Sequence, residues 1–103
     1  MSKYNSIKTE VDGIVFASKK EAHRYWELQQ LVKDGQIRDL QMQVKYSIDI
    51  NGKHICNYYA DFVYVDCRTE TQVVEDTKGV RTTVFRLKAK LMKACHNIDI
   101  LET

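Results

Sequence analysis

Asp61, Asp76 and Lys78 are the residues whose types and spacing could do chemistry. They stand in the segments Tyr58-Tyr59-Ala60-Asp61-Phe62 and Val73-Val74-Glu75-Asp76-Thr77-Lys78-Gly79, and both segments read as strands. Side chains alternate along a strand, so Asp76 and Lys78 share one face while Glu75 and Thr77 take the other. Two carboxylates and an amine gathered at the centre of a small sheet can hold a divalent metal and position a water for attack on a phosphodiester. The same residues also admit a plainer reading, with Asp76 and Lys78 as a salt-bridged pair on an exposed strand and Asp61 capping a bulge.

The elements that must carry these groups show in the turn signals and the hydrophobic period. Gly13-Ile14-Val15-Phe16-Ala17 is a short extended segment. Ser18, with Glu21 three residues later, has capping-box spacing and predicts a helix from Lys19 to about Lys33, ended by Asp34-Gly35. Val44 to Ile50 alternates as a strand with Val44, Tyr46, Ile48 and Ile50 on one face, and Asn51-Gly52 is a hairpin turn. A second long strand runs from about His54 to Val65 and a third from about Thr71 to Thr77, which makes three antiparallel neighbours. Thr82 or Thr83 caps a second helix reaching to about Cys95, and Ile98-Asp99-Ile100-Leu101 forms a terminal strand. The expected order is β-α-β-β-β-α-β, an α/β (α+β) arrangement whose mixed central sheet is flanked by two helices.

The helices carry two charges where apolar residues are expected. Tyr25, Leu28 and Val32 define the buried stripe of the first helix, and Glu21 falls on it. In the second helix the apolar stripe is Val84, Leu87, Leu91 and Cys95, and Lys88 falls inside it. An unpaired buried charge costs several kcal/mol, so such residues need partners, and Glu21, Asp61, Asp76, Lys78 and Lys88 can serve as partners for one another. Glu21 alone is also explained as a capping-box acid favoured by the helix dipole, and Lys88 alone as a lysine whose ammonium snorkels past the core edge.

Composition narrows the class. The chain of 103 residues reads as a single domain, 1–103, with an N-terminal arm over 1–12. Its 44% hydrophobic and 29% charged content is that of a folded globular protein. Cys56, Cys67 and Cys95 are odd in number and form no CxxC pair, which fits reduced thiols better than a disulfide framework or a zinc site. With no apolar run of membrane-spanning length, a soluble cytoplasmic protein is expected. The net charge of +2 leaves a nucleic-acid partner open, but Lys78, Arg81, Arg86, Lys88, Lys90 and Lys93 cluster with no intervening acid.

Taken together, Ser18-Lys19-Lys20-Glu21-Ala22, Tyr59-Ala60-Asp61-Phe62, Val74-Glu75-Asp76-Thr77-Lys78-Gly79 and Phe85-Arg86-Leu87-Lys88 resemble small phage and prophage proteins of the PD-(D/E)XK nuclease superfamily, a Holliday-junction-resolvase-like group. The resemblance spans Gly13 to Leu101 and implies a restriction-endonuclease-like core. It implies Asp61 and Asp76 as metal ligands, Glu21 completing the site from the first helix, the Thr77 carbonyl as an extra ligand, and Lys78 orienting or deprotonating the attacking water. Magnesium suits such an oxygen-rich site, with manganese as a substitute. Ala60 replaces the proline that names the motif, and Asp76 stands where glutamate is commoner, leaving a rival register in which Glu75 is the ligand.

The function implied is a metal-dependent DNA endonuclease that hydrolyses phosphodiester bonds, selective for branched or junction DNA, in phage recombination or replication. A homodimer would let it cut two strands symmetrically. Lys19, Lys20, Arg81, Arg86, Lys88 and Lys90 are the expected DNA contacts, although Arg86, Lys90 and Lys93 also fit an ordinary solvated helix face. Tyr4, Asn5 and Lys8 in the arm could touch a backbone, and Gln43 reads as a polar residue at the site edge or an exposed strand end. The rival reading is a non-catalytic DNA- or protein-binding module on the same fold.

Overall fold

Turn chemistry and helix caps set the elements in a computed structural model that describes residues 8–78 and 80–103. Tyr4, Asn5 and Gly79 lie outside those residues. Asp12 and Gly13, both at positive φ, reverse the chain between β1 (Thr9–Val11) and β2 (Ile14–Phe16), which pair antiparallel as a sheet of their own. The arm expected over 1–12 therefore contributes a strand, because its last residues find Ile14 to Phe16 as a partner across a two-residue turn. Ser18 then caps α1 (Lys19–Lys33) by accepting the Glu21 N–H at 3.1 Å.

The main sheet has the order β3-β4-β5-β6. β3 (Ile37–Ile50) and β4 (Lys53–Asp66) form a long hairpin whose Asn51-Gly52 turn has φ of 53° and 78°, the sign that a two-residue hairpin turn needs. β5 (Thr71–Asp76) runs antiparallel to β4, and β6 (Ile100–Glu102) runs parallel to β5 after the crossover helix α2 (Thr83–His96). The sheet is mixed and flanked by two helices, in the expected order of elements. Among the described residues no helix is long and apolar enough to cross a membrane.

The two helices cover different residues of the sheet. Ala22, Tyr25 and Leu28 of α1 pack with Phe16, Ile37, Phe62 and Tyr64. Phe85 and Met92 of α2 pack with Ile48, Tyr58, Ala60, Val63 and Val74. The expected stripe of α2 is not the one buried: Val84 and Leu87 are 61% and 57% exposed, Cys95 is exposed, and Leu91 is half-buried. Phe85 and Met92 offer the larger surface to the sheet, and burying them turns the Val84 and Leu87 side outward. Val32 of α1 and Ile50 of β3, expected on buried faces, are exposed as well, at the far end of their elements.

One crease in the sheet positions the site. Ala60 belongs to the cluster under α2 and Phe62 to the cluster under α1, so the strict alternation of β4 breaks at Asp61. β3 breaks at the same level: Leu40 joins the α1 cluster, Val44 the α2 cluster, and Gln43 between them has φ 51°. Both strands change face together, so their register is kept, with Met42 opposite Phe62 and Val44 opposite Ala60.

Candidate functional site

Three acids from three elements meet at this crease. The first turn of α1 brings Glu21, which is 8% exposed, and its carboxylate accepts from Gln43 Nε2 at 3.3 Å. β4 brings Asp61, whose Oδ1 accepts from the same Gln43 Nε2 at 3.1 Å and whose Oδ2 accepts from the Thr77 N–H at 2.8 Å. The end of β5 brings Asp76, 1% exposed, whose Oδ2 accepts from the Tyr58 hydroxyl at 2.5 Å. Asp76 Oδ1 is buried and accepts no hydrogen bond, although the Lys78 ammonium stands 3.3 Å away. A cleft of about 960 Å³ opens over the group, lined by Glu21, Gln43, Asp61, Thr77, Lys78 and Lys20, with Val15, Met42 and Val80 among its apolar rim.

Burial and mutual repulsion dominate the electrostatics. Removal from water, then the nearby charge of Asp76 and that of Glu21, push the Asp61 carboxyl up to about 7, against the Thr77 N–H, which favours the ionised form. Burial and then Asp76 likewise raise Glu21, opposed by the Gln43 hydrogen bond and by Lys78. Burial and the bond to Asp76 hold the Tyr58 hydroxyl protonated. The cluster thus concentrates negative charge that Lys78 offsets in part, and its donors are all oxygens. Among the described residues, no three His, Cys, Asp or Glu side chains already stand as a ready coordination shell. The donor chemistry still fits a hard divalent cation: Asp76 Oδ1 is a buried acceptor without a donor, and a cation would relieve the repulsion that raises Asp61 and Glu21.

Lys78 is held from two sides. Its ammonium lies 4.8 Å over the Phe85 ring, and its backbone carbonyl accepts from Lys20 Nζ at 2.9 Å. Lys20 therefore closes the cleft mouth from α1. Thr77 lines the cleft, and its hydroxyl bonds that of Thr103 at 3.0 Å.

Glu75 is turned away from this group. It is fully buried and receives Arg24 Nε and Nη2 at 2.7 and 2.9 Å, with the Tyr64 hydroxyl and Thr103 Oγ1 as further donors. Glu75 is thus engaged by α1, while Asp76 stands beside Lys78 and Asp61. Arg24 follows Glu21 by one helical turn, so the Arg24–Glu75 pair also fixes the end of α1 that carries Glu21.

The remaining basic residues divide. Lys19 is exposed on the first turn of α1. Arg81 pairs with Glu102 at 2.8 Å, and it shares a groove of about 520 Å³ with Arg86, Lys90 and Lys93 along α2. Lys88 is not brought to the site; its ammonium donates to the Asn57 carbonyl at 2.9 Å. Asn57 lies beyond the stretch of β4 that β5 pairs, so Lys88 caps an open carbonyl there.

Sequence reasoning missed Tyr58 and Arg24 and gave Gln43 only an edge role. Tyr58 stands three residues before Asp61 in an aromatic run that reads as core, and nothing local marks its hydroxyl as a donor to Asp76. Searches of curated proteins and of solved structures return no match to the chain. A family model described as "Protein of unknown function (DUF1064)" matches residues 1–100, and the chain belongs to that family.

Proposed function

We propose that the protein is a metal-dependent nuclease of the PD-(D/E)XK type that hydrolyses phosphodiester bonds in DNA. The observation that carries this reading is that Glu21 and Asp61 line one cleft beside buried Asp76, with the Lys78 ammonium 3.3 Å from a buried, otherwise undonated oxygen of Asp76. Asp61 and Asp76 would hold Mg²⁺ or Mn²⁺, with Glu21 and the Thr77 carbonyl completing the set. A bound cation supplies charge stabilisation at the scissile phosphate and acidifies a water. The chain's own part is orientation. Tyr58 fixes one oxygen of Asp76, the Thr77 N–H fixes one of Asp61, and the Phe85 ring and Asp76 hold the Lys78 ammonium where it can orient the attacking water and meet charge developing on the phosphate.

The substrate proposed is branched or junction DNA, cut by a homodimer in the cytoplasm of a phage host. Lys20 at the cleft mouth, Lys19 beside it, and Arg81, Arg86 and Lys90 on the α2 groove are the proposed phosphate contacts. The test is cleavage of labelled four-way junction, flap, single-stranded and linear duplex DNA in Mg²⁺, Mn²⁺ or EDTA. Metal-dependent cutting that favours the branched substrates is the expected outcome. DNA binding without cutting, unchanged in Asp61→Ala, would replace the nuclease with a binding module.

A further inference from the structure

Gln43 sits in the middle of β3 at φ 51°, where a side chain longer than that of Asn or Asp is uncommon. Five other described non-glycine residues have positive φ. Asp12, Asn51 and Glu70 lie in turns, Asn97 caps α2, and Asp39 lies at the register shift of β3. Gln43 has no such excuse, since the pairing on either side of it keeps one register. Strain of this kind persists where the surrounding structure enforces it, and it concentrates at functional sites.

What the strained backbone accomplishes is visible in the side chain. Gln43 Nε2 donates to Glu21 Oε1 at 3.3 Å and to Asp61 Oδ1 at 3.1 Å, so one amide bridges carboxylates from α1 and β4. Two acids that repel each other would otherwise swing apart into the cleft. A lysine in this place would neutralise them and compete with a cation, whereas an amide holds them and leaves their charge intact. We infer that Gln43 is a positioning residue of the site, its left-handed backbone aiming a neutral amide that keeps Glu21 and Asp61 convergent for a divalent cation. This rests on the reading of those acids as metal ligands.

Gln43→Ala and Gln43→Gly separate the two halves of the inference. Both remove the amide, but only glycine relieves the backbone. Mn²⁺ affinity, measured by calorimetric titration of the full chain, should fall by about 10–100-fold in both variants, the usual cost of losing a group that orients metal ligands. In EDTA, Gln43→Gly should melt above Gln43→Ala by roughly 4–8 °C, the shift expected for a domain of this size when a left-handed residue is relaxed. A part that merely supported the fold would regain metal affinity along with stability on going from the alanine variant to the glycine one. Wild-type Mn²⁺ affinity in both variants, or a glycine variant that melts no higher than the alanine one, would overturn the inference. A wild-type protein that takes up no Mn²⁺ would be a different failure, removing the metal reading itself and this inference with it.

Discussion

Asp61→Asn should make the metal-free protein more stable at pH 8 and change it little at pH 4. The Asp61 carboxyl is pushed up to about 7, by burial first and then by Asp76. In the unfolded chain an aspartate titrates near ~3.9, so the folded value is the higher one. The folded state therefore binds the proton more tightly, and its stability is fully present below about pH 4 and is lost as pH rises through about 7. A gap of about 3 between the two values corresponds to roughly 4 kcal/mol at pH 8, at 1.36 kcal/mol per unit. Asparagine keeps the shape but can accept through one oxygen only, so either the Gln43 or the Thr77 donor loses its partner, at about 1 kcal/mol. The net gain is on the order of 2–3 kcal/mol, or roughly 10–20 °C in Tm for a domain of this length. Urea and thermal unfolding of both proteins in EDTA at pH 4, 5.5 and 8 would measure it. Because Glu21 is raised in the same direction, the variant should flatten the pH slope without abolishing it. A wild-type stability that does not fall between pH 4 and 8, or a variant no more stable than wild type at pH 8, would refute the crowding of charge described for this site.

Two further substitutions probe the supports. Arg24→Ala should cost about 3–5 kcal/mol in urea unfolding, because it leaves fully buried Glu75 without its guanidinium, and Arg24→Lys should recover only part, since an ammonium cannot make the paired bonds. Tyr58→Phe should cost about 1–3 kcal/mol by stranding Asp76 Oδ2 and should also weaken Mn²⁺ binding in a calorimetric titration. An unchanged affinity there would mean that the hydroxyl packs without orienting Asp76.

The sequence disclosed the site where residue type and period agree. Glu21 on a buried stripe and the alternation that separates Asp76 from Glu75 are consequences of helix and strand geometry, and the folded chain keeps both; Lys78 lies past the end of β5, yet its ammonium stands 3.3 Å from Asp76. The second helix was harder, because it has two apolar faces. Val84, Leu87, Leu91 and Cys95 share one side of the wheel, yet Phe85 and Met92 dock, and a periodic count does not weigh the bulk of a ring. The first half of β3 escaped for the opposite reason. Asp39 and Gln43 both take positive φ, so Ile37 to Gln43 has no regular alternation to detect, although Ile37, Arg38, Gln41 and Met42 pair with β4. Partners distant in sequence left no local mark: Arg24 meets Glu75 across 51 residues, and Tyr58 meets Asp76 across 18.

The central claim is that this cluster of acids and Lys78 hydrolyses phosphodiesters when a divalent cation is bound. Its most direct test is the single-turnover cutting rate of a labelled four-way junction at saturating Mn²⁺, in wild type, Asp61→Ala and Lys78→Ala, with Mn²⁺ occupancy measured in the same samples. The account predicts cutting by wild type only, with Lys78→Ala still taking up Mn²⁺ and Asp61→Ala losing it. Cutting that survives in Asp61→Ala, or a wild type that binds Mn²⁺ and DNA yet leaves every strand intact, would contradict it.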